Sequence, residues 1–230
     1  IMGAGALAAG SIDLVVAGGM ESMTNAPYLL KKHRSGARIG HDTAYDHMFL
    51  DGLEDAYEAG RAMGTFAQDT ADAYQLTREA QDGYAIESLR RAQVAIADGA
   101  FVNEIAPVTV VSRAGETVVD TDEQPGKGRP DKIPTLKPAF AKDGTITAAT
   151  SSSISDGAAA LVLTRASVAD TKGLKPVATV VAVAAHAQEP KDFTVAPVGA
   201  ITKVLDKAGW TLADVELFEV NEAFAVVPMV

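Results

Sequence analysis

Helical spacing of apolar positions is the clearest pattern in the chain. Across residues 80–96, apolar side chains recur every three or four positions, with Thr77 placed as a helix cap before them and Gly99 after them. A second run with helical spacing covers residues 197–208. Residues 1–9 carry the small side chains of a closely packed helix, and a glycine suited to a C-terminal cap follows them. The pattern therefore predicts a helix in each of these three stretches.

Short apolar runs between turn residues predict strands. The run at residues 158–163 contains no polar side chain, as expected of a strand that is buried on both faces. The run at residues 13–17 is followed by two glycines, which predict the end of that strand. Strands are predicted at residues 13–17, 105–111, 116–119, 158–163, 177–185 and 212–220, the second and third of them as a hairpin around Ala114-Gly115.

The order of these elements predicts the α/β class. Helices and buried strands alternate near both ends of the chain, while residues 24–143 mix irregular, helical and hairpin patterns. We therefore interpret residues 24–143 as a mixed subdomain that is inserted between two strands of the core.

The first helix begins abruptly. Ile1 and Met2 are apolar, and neither a capping residue nor a start methionine precedes them. We interpret this stretch as a helix cut in its middle, and we expect the chain to be a piece of a longer protein.

Composition excludes several classes of function. The chain has 230 residues, 47% of them hydrophobic and 22% charged, which is ordinary for a globular protein. It contains no cysteine, so disulfides, thiolate metal sites and a cysteine nucleophile are excluded within this chain. The net charge of −10 argues against nonspecific nucleic-acid binding, and no apolar run predicts a membrane partner. We predict a cytoplasmic protein without a bound metal, because the spacing of His33, His41 and His47 fits no standard metal site.

A stretch of small polar residues precedes the predicted strand at residues 158–163. Residues 143–157 are rich in Ser, Thr, Ala and Gly, which hold tight turns and let a ligand come close to the backbone. Composition alone leaves two interpretations open. One is a ligand-binding edge of an α/β core, and the other, favoured by composition, is a Ser-rich surface loop.

Three strings in the chain resemble one family. They are Val-Val-Ala-Gly-Gly-Met-Glu-Ser-Met at residues 15–23, the stretch at residues 145–160, and Asn-Glu-Ala-Phe-Ala at residues 221–225. In this order and spacing they resemble the thiolases, and acetyl-CoA acetyltransferases in particular. The related ketoacyl synthases carry a histidine where the thiolases carry the asparagine, so Asn221 favours a thiolase.

The resemblance implies a fold and a reaction. The fold is a five-layered α-β-α-β-α core, present here in part, with an inserted mixed α+β loop domain that covers coenzyme A (CoA). The expected division is residues 1–23 and 144–165 for the N-terminal half, 24–143 for the loop domain, and 166–230 for the start of the C-terminal half. The reaction is the reversible condensation of two acetyl-CoA to acetoacetyl-CoA and CoA. The CoA thioester is substrate and no cofactor is implied, while the protein is expected to form homodimers or homotetramers.

The resemblance also assigns roles to residues. Asn221 matches the asparagine that holds a water against the thioester oxygen, and Ser152 matches the serine that bonds the pantetheine arm. Arg129 falls where the loop domain offers an arginine to the nucleotide end of CoA. The substrate and CoA contacts expected from the remaining matched positions involve Leu53, Met63, Phe140, Ala148, Phe193 and Phe224. Plain core packing is the alternative for the apolar members of this set.

Several family residues have no counterpart in this chain. Thiolases use a cysteine nucleophile, a second cysteine as acid and base, and a histidine in a Gly-His-Pro motif, and none of these is present. We therefore expect the chain by itself to be inactive. Two alternatives stay open beside the acetyl-CoA acetyltransferase: a 3-ketoacyl-CoA thiolase of β-oxidation, and a noncatalytic module for CoA binding or oligomerisation.

Overall fold

The predicted helices are present in a computed structural model that describes residues 1–230. Thr77 accepts a hydrogen bond from the Ala80 amide at 3.2 Å, so the cap predicted for the long central helix is confirmed. Gly209, with φ of 68°, ends the last long helix in the left-handed conformation. The α-helices are α1 (Met2–Ala8), α2 (Met63–Ala73), α3 (Arg78–Ala97), α4 (Glu123–Lys127), α5 (Ala166–Lys172), α6 (Ala196–Ala208) and α7 (Val226–Met229).

Short helical turns of other types join these elements. A five-residue π-helix covers Phe49–Leu53. The 3₁₀ turns are Met23–Asn25, His33–Ser35, Pro130–Thr135, Ala148–Thr150, Pro190–Val195 and Leu212–Asp214. None of the helices combines the length and the apolar character that crossing a bilayer requires.

The strands form three antiparallel pairs. The strands are β1 (Leu14–Ser22), β2 (Tyr28–Leu30), β3 (Ala44–Asp46), β4 (Val108–Ser112), β5 (Gly115–Val119) and β6 (Asp156–Thr164). β1 pairs with β6, β2 with β3, and β4 with β5. The predicted hairpin is confirmed as β4 and β5, and Gly115 at its turn has φ of 117°.

The predicted end of β1 is wrong, because the two glycines continue the strand. Gly18 pairs with Ala160 and Gly19 with Ala159, and the ladder extends to Ser22. A Cβ atom on Gly18 would lie 2.2 Å from the Ala159 carbonyl oxygen, so the close approach of the two strands requires glycine at this position.

Two further strand predictions are wrong. Residues 177–185 and 216–220 make no hydrogen bond from backbone to backbone, and residues 212–214 form a 3₁₀ turn. An apolar run becomes a strand only when a neighbouring strand satisfies its backbone groups, and these stretches have no such neighbour in the chain. The predicted burial of β6 is also wrong: seven of its nine residues are exposed, because β1 is its one neighbour in the sheet.

The apolar core lies between α2 and α7. Ala67 and Ala71 of α2 pack with Ile146, Phe224 and the start of α7. Ile146 precedes the Ala148–Thr150 turn, and Phe224 immediately follows the Asn-Glu-Ala string. The core therefore fixes the two segments that carry the sequence motifs against the same helix.

A buried polar network anchors the first motif segment to the helices. The side-chain oxygen of Gln68 accepts from the Thr145 amide at 2.7 Å and from the Ile146 amide at 3.2 Å. Gln81 of α3 donates to the Thr145 hydroxyl at 2.9 Å and to the Leu76 carbonyl at 3.0 Å. Because buried backbone amides need partners, these glutamines hold the chain at residues 145–146 in place.

Candidate functional site

The small-residue stretch forms a tight, internally bonded turn. The Thr147 amide donates to the Thr150 hydroxyl at 2.8 Å, and that hydroxyl donates to the Thr147 carbonyl at 3.2 Å. Ser151 also donates to the Thr147 carbonyl at 2.8 Å. Thr147 and Thr150 are buried, while Ser152 is exposed. The turn is therefore rigid on its inner side and presents Ser152 outward.

The turn is joined to the Asn-Glu-Ala-Phe segment by backbone hydrogen bonds. The Ser152 amide donates to the Ala223 carbonyl at 3.0 Å, and the Ala225 amide donates to the Thr150 carbonyl at 2.9 Å. Ser151 and Phe224 form an antiparallel bridge between these bonds. Two motifs that are about 70 residues apart in sequence therefore lie side by side.

An open groove of about 600 Å³, called the first groove here, runs beside this junction. The structure brings three of the predicted site residues together in its lining: Asn221, Ser152 and Arg129. One wall is the face of α3, and one end is formed by α4 and the Pro130–Thr135 turn. A volume of this size is in the range of small-molecule sites.

Charges of both signs line the first groove. Arg129 is exposed, and its guanidinium donates to the neighbouring Gly128 carbonyl at 3.3 Å. Lys132 lies nearby and pairs with Asp131 at 3.7 Å. Asp122 lines the same end and caps α4 by accepting from the Gln124 amide at 2.9 Å. Arg129 is therefore the basic side chain of this groove that makes no ion pair with a carboxylate.

The arginine end of the groove is packed closely against α3. A Cβ atom on Gly128 would lie 2.6 Å from the methyl carbons of Leu89. Gln93 of the same helix donates to the Pro125 carbonyl at 2.8 Å. These contacts fix the backbone immediately before Arg129 relative to the helix that lines the groove.

A second cavity of about 370 Å³ lies on the other side of Asn221. Its lining is mostly apolar and includes Phe193, Phe218 and Ile201. Asn221 lines both spaces and is thus the residue at which the first groove, which carries charged side chains, meets the mostly apolar second cavity.

The other predicted apolar contacts lie in the core. Phe140 and Phe224 meet edge to face, with ring centroids 5.9 Å apart and planes at 83°. Met63 and Phe193 pack against the same cluster. A Cβ atom on Gly64 would lie 2.3 Å from the Phe140 ring, so glycine is needed there for this packing. Each of these side chains therefore has a packing role whether or not it contacts a substrate.

Leu53 and Ala148 lie apart from both spaces. Leu53 ends the π-helix and is half-buried, whereas Ala148 begins its 3₁₀ turn and is exposed. Neither residue lines the first groove or the second cavity.

Sequence reasoning missed a hydroxyl pair that faces the motif. Tyr84 donates to one carboxylate oxygen of Glu222 at 2.8 Å, and Ser88 donates to the other at 2.7 Å. Partial burial, followed by the hydrogen bond to Glu222, raises the pKa of Tyr84 to about 12. The spacing of four residues places both hydroxyls on one face of α3. That spacing is the one feature of the sequence that could have indicated the pair.

Comparison with protein families decides the relationship suggested by the motifs. The thiolase N-terminal domain matches residues 1–167, and the thiolase C-terminal domain matches residues 174–230. The chain belongs to the thiolase family. The resemblance expected from the three strings is thereby confirmed.

Named relatives of this thiolase chain share one description. A probable acetyl-CoA acetyltransferase of Dictyostelium discoideum is 47% identical over 228 residues, covering 99% of the chain and 55% of that protein. An acetyl-CoA acetyltransferase of Pseudomonas aeruginosa is 44% identical over 226 residues, covering 97% of the chain and 57% of that protein. The chain thus spans somewhat more than half the length of these curated relatives.

Solved structures confirm the predicted thiolase fold. An acetyl-CoA acetyltransferase from Bacillus anthracis superimposes with a TM-score of 0.93 at 38% identity, over 99% of the chain and 58% of its own. A thiolase from Ascaris suum in complex with coenzyme A gives a TM-score of 0.91 at 43% identity, over the same two shares.

Proposed function

We propose that this chain supplies the CoA groove and the oxyanion-binding asparagine of an acetyl-CoA acetyltransferase. That enzyme condenses two acetyl-CoA to acetoacetyl-CoA and CoA, and it catalyses thiolysis in the reverse direction. The observation that carries the proposal is the meeting of Asn221, Ser152 and Arg129 in one groove. The shared description of the relatives and the CoA complex of the Ascaris suum thiolase support the choice of reaction and ligand.

Asn221 is assigned the part of the reaction in which negative charge develops. When a thioester carbonyl is attacked, its oxygen becomes an oxyanion, and a fixed dipole directed at that oxygen lowers the barrier. Asn221 would act through a water held by its amide. Its place between a groove that carries charged side chains and a mostly apolar cavity suits a thioester, whose CoA portion and acyl portion differ in polarity.

Ser152 and Arg129 are assigned to binding. The exposed Ser152 hydroxyl would bond the pantetheine arm, close to the thioester. Arg129 would meet a phosphate at the nucleotide end, because a guanidinium without a carboxylate partner can form charge-assisted bonds to an anion. Apolar contacts to the arm and acyl group would come from Met63, Phe140, Phe193 and Phe224 at the core, and from Leu53 and Ala148 outside it.

Other parts of the proposal concern the whole protein. Residues 24–143 would form the loop domain that covers CoA, between residues 1–23 and 144–165 of the N-terminal half. Residues 166–230 would begin the C-terminal half. The protein would work as a homodimer or homotetramer in the cytoplasm. This chain contains no cysteine and therefore supplies no thiolate for the transfer step.

The experiment is an assay of the full-length gene product with acetoacetyl-CoA and CoA. We expect acetoacetyl-CoA to disappear and two acetyl-CoA to form for each molecule consumed. Desulfo-CoA, which lacks the attacking thiol, is the matched control and should give no cleavage. Competition between acetoacetyl-CoA and longer 3-ketoacyl-CoA thioesters then tests the acyl preference.

Each other outcome identifies a different function. A higher kcat/KM for the longer thioesters would support a 3-ketoacyl-CoA thiolase. Binding of CoA without turnover of any thioester would support a noncatalytic CoA-binding module. Either result would contradict the proposed reaction.

A further inference from the structure

Glu222 is held by two donors from a single helix. Tyr84 and Ser88 stand one turn apart on α3, and each donates to a different oxygen of the Glu222 carboxylate, at 2.8 and 2.7 Å. All three residues line the first groove together with Asn221. We call these three side chains the carboxylate clamp.

The clamp acts on a stretch of chain that is otherwise held by packing of Val220 and Ala223 against the core. Residues 216–222 make no backbone hydrogen bond, so the chain that leads into Asn221 is not held by secondary structure. The next backbone bond after Asn221 is the one from the Ser152 amide to the Ala223 carbonyl. The Glu222 side chain is therefore the hydrogen-bonded attachment nearest to Asn221 on the sequence.

We infer that Tyr84 and Ser88, acting through Glu222, are positioning residues that fix the orientation of Asn221 in the first groove. The inference rests on the proposed function, because it assigns these residues to the same reaction. The peptide between Asn221 and Glu222 is rigid and planar, so a Glu222 that is fixed at both carboxylate oxygens restrains where the Asn221 Cα and carbonyl lie. A carboxylate that accepts two hydroxyl donors makes stronger bonds than a neutral acceptor would.

Electrostatics supports a holding role rather than proton transfer for this cluster. A phenol is protonated at neutral pH, and burial with the hydrogen bond to Glu222 raises the pKa of Tyr84 further, to about 12. The Tyr84 hydroxyl is thus a permanent donor to the carboxylate. Oxyanion stabilisation needs a group that is already oriented when charge develops, and a permanent donor pair meets that need.

The test is a double-mutant cycle on kcat for thiolysis in the full-length gene product. Tyr84→Phe combined with Ser88→Ala removes both donors and leaves Glu222 and Asn221 in place. We expect kcat to fall roughly 10- to 100-fold, the scale on which misplacing a reacting group acts. In an Asn221→Ala background, the same pair of substitutions should lower kcat by less than about 2-fold, since residues that act through one another are not additive.

Controls separate positioning from general damage. Tyr74→Phe removes an exposed tyrosine hydroxyl that lies outside both grooves, and it should leave kcat unchanged. Ser88→Thr keeps a hydroxyl and should retain most of the kcat that Ser88→Ala loses. If the Tyr84→Phe/Ser88→Ala protein does not fold, the same cycle is run with Ser88→Ala alone, for which a smaller, still non-additive loss is expected.

The possible failures can be told apart. If Asn221→Ala leaves kcat unchanged, the proposed role of Asn221 fails and the inference fails with it. If Asn221→Ala lowers kcat but removal of the clamp donors has no effect, the inference alone is wrong. It is also wrong if the two losses multiply in the combined variant, because independent losses would indicate a structural contribution from the clamp.

Discussion

Gln68→Leu tests the network that holds the site turn. The Gln68 oxygen accepts from the amides of Thr145 and Ile146, and its nitrogen donates to Asp72 at 2.8 Å. Leucine has a similar size but leaves both amides without an acceptor. Each unsatisfied buried amide costs about 1–3 kcal/mol, whereas burying the leucine side chain returns about 2 kcal/mol. The two amides together cost about 2–6 kcal/mol, so the free energy of unfolding should fall by about 0–4 kcal/mol, with about 2 kcal/mol as the midpoint.

Urea unfolding followed by circular dichroism measures this loss, with CoA titration of the folded protein as a second readout. The turn that carries Ser152 begins at these two amides, so CoA should also bind more weakly to the variant. Gln124→Leu is the matched control for stability alone, because Gln124 lines the first groove but is exposed on α4 and should change stability by less than about 0.5 kcal/mol. If Gln68→Leu and the control had equal free energies of unfolding, the proposed role of Gln68 in holding the turn would be wrong.

Four further predictions concern CoA binding, pH dependence and activity. Ser152→Ala should weaken CoA binding by about 0.5–1.5 kcal/mol in calorimetry, with exposed Ser167→Ala as control. Arg129→Ala should weaken the binding of CoA more than the binding of dephospho-CoA. Equal losses of affinity for the two ligands would assign Arg129 a structural role. The Tyr84 contribution to stability should be fully present below pH about 10 and be lost as the pH rises towards 12, because the pKa of Tyr84 is raised in the folded state. The difference in tyrosinate absorbance between the wild type and Tyr84→Phe measures this titration. A titration of Tyr84 near pH 10 would contradict the prediction. The 230-residue chain alone should neither cleave acetoacetyl-CoA nor take up label from acetyl-CoA, because it contains no cysteine, and turnover above a heat-treated control would contradict this.

The sequence pattern predicted the long helices, because the features that stabilise them lie within each helical segment. The limits of α3 and α6 follow from caps, helical spacing and terminal glycines, and the structure agrees to within one or two residues. The apolar run at residues 177–185 has the composition of a strand, but a strand also needs a partner, and composition does not supply one. Val177 is fully exposed in this stretch.

The candidate site also contains residues that the sequence could predict and residues that it could not. Asn221 and Ser152 could be predicted because each lies in a motif, and the structure places both in the lining of one groove. Tyr84 and Ser88 could not, because two hydroxyls four residues apart occur on many helices and gain meaning only when a carboxylate lies opposite. Gln81 is fully buried although glutamine usually lies at the surface, and only its side-chain nitrogen is paired there, with Thr145 and the Leu76 carbonyl, while its side-chain oxygen has no hydrogen-bond partner.

Steady-state kinetics of Asn221→Ala in the full-length gene product tests whether Asn221 stabilises the oxyanion. Exposed Asn103→Ala, outside both grooves, is the matched control and should behave as wild type. Asn221→Ala should lower kcat for thiolysis roughly 10²–10³-fold, the effect of losing one oxyanion donor, with little change in the Kd for CoA. An undiminished kcat, or a loss that lies entirely in CoA affinity, would contradict this role of Asn221.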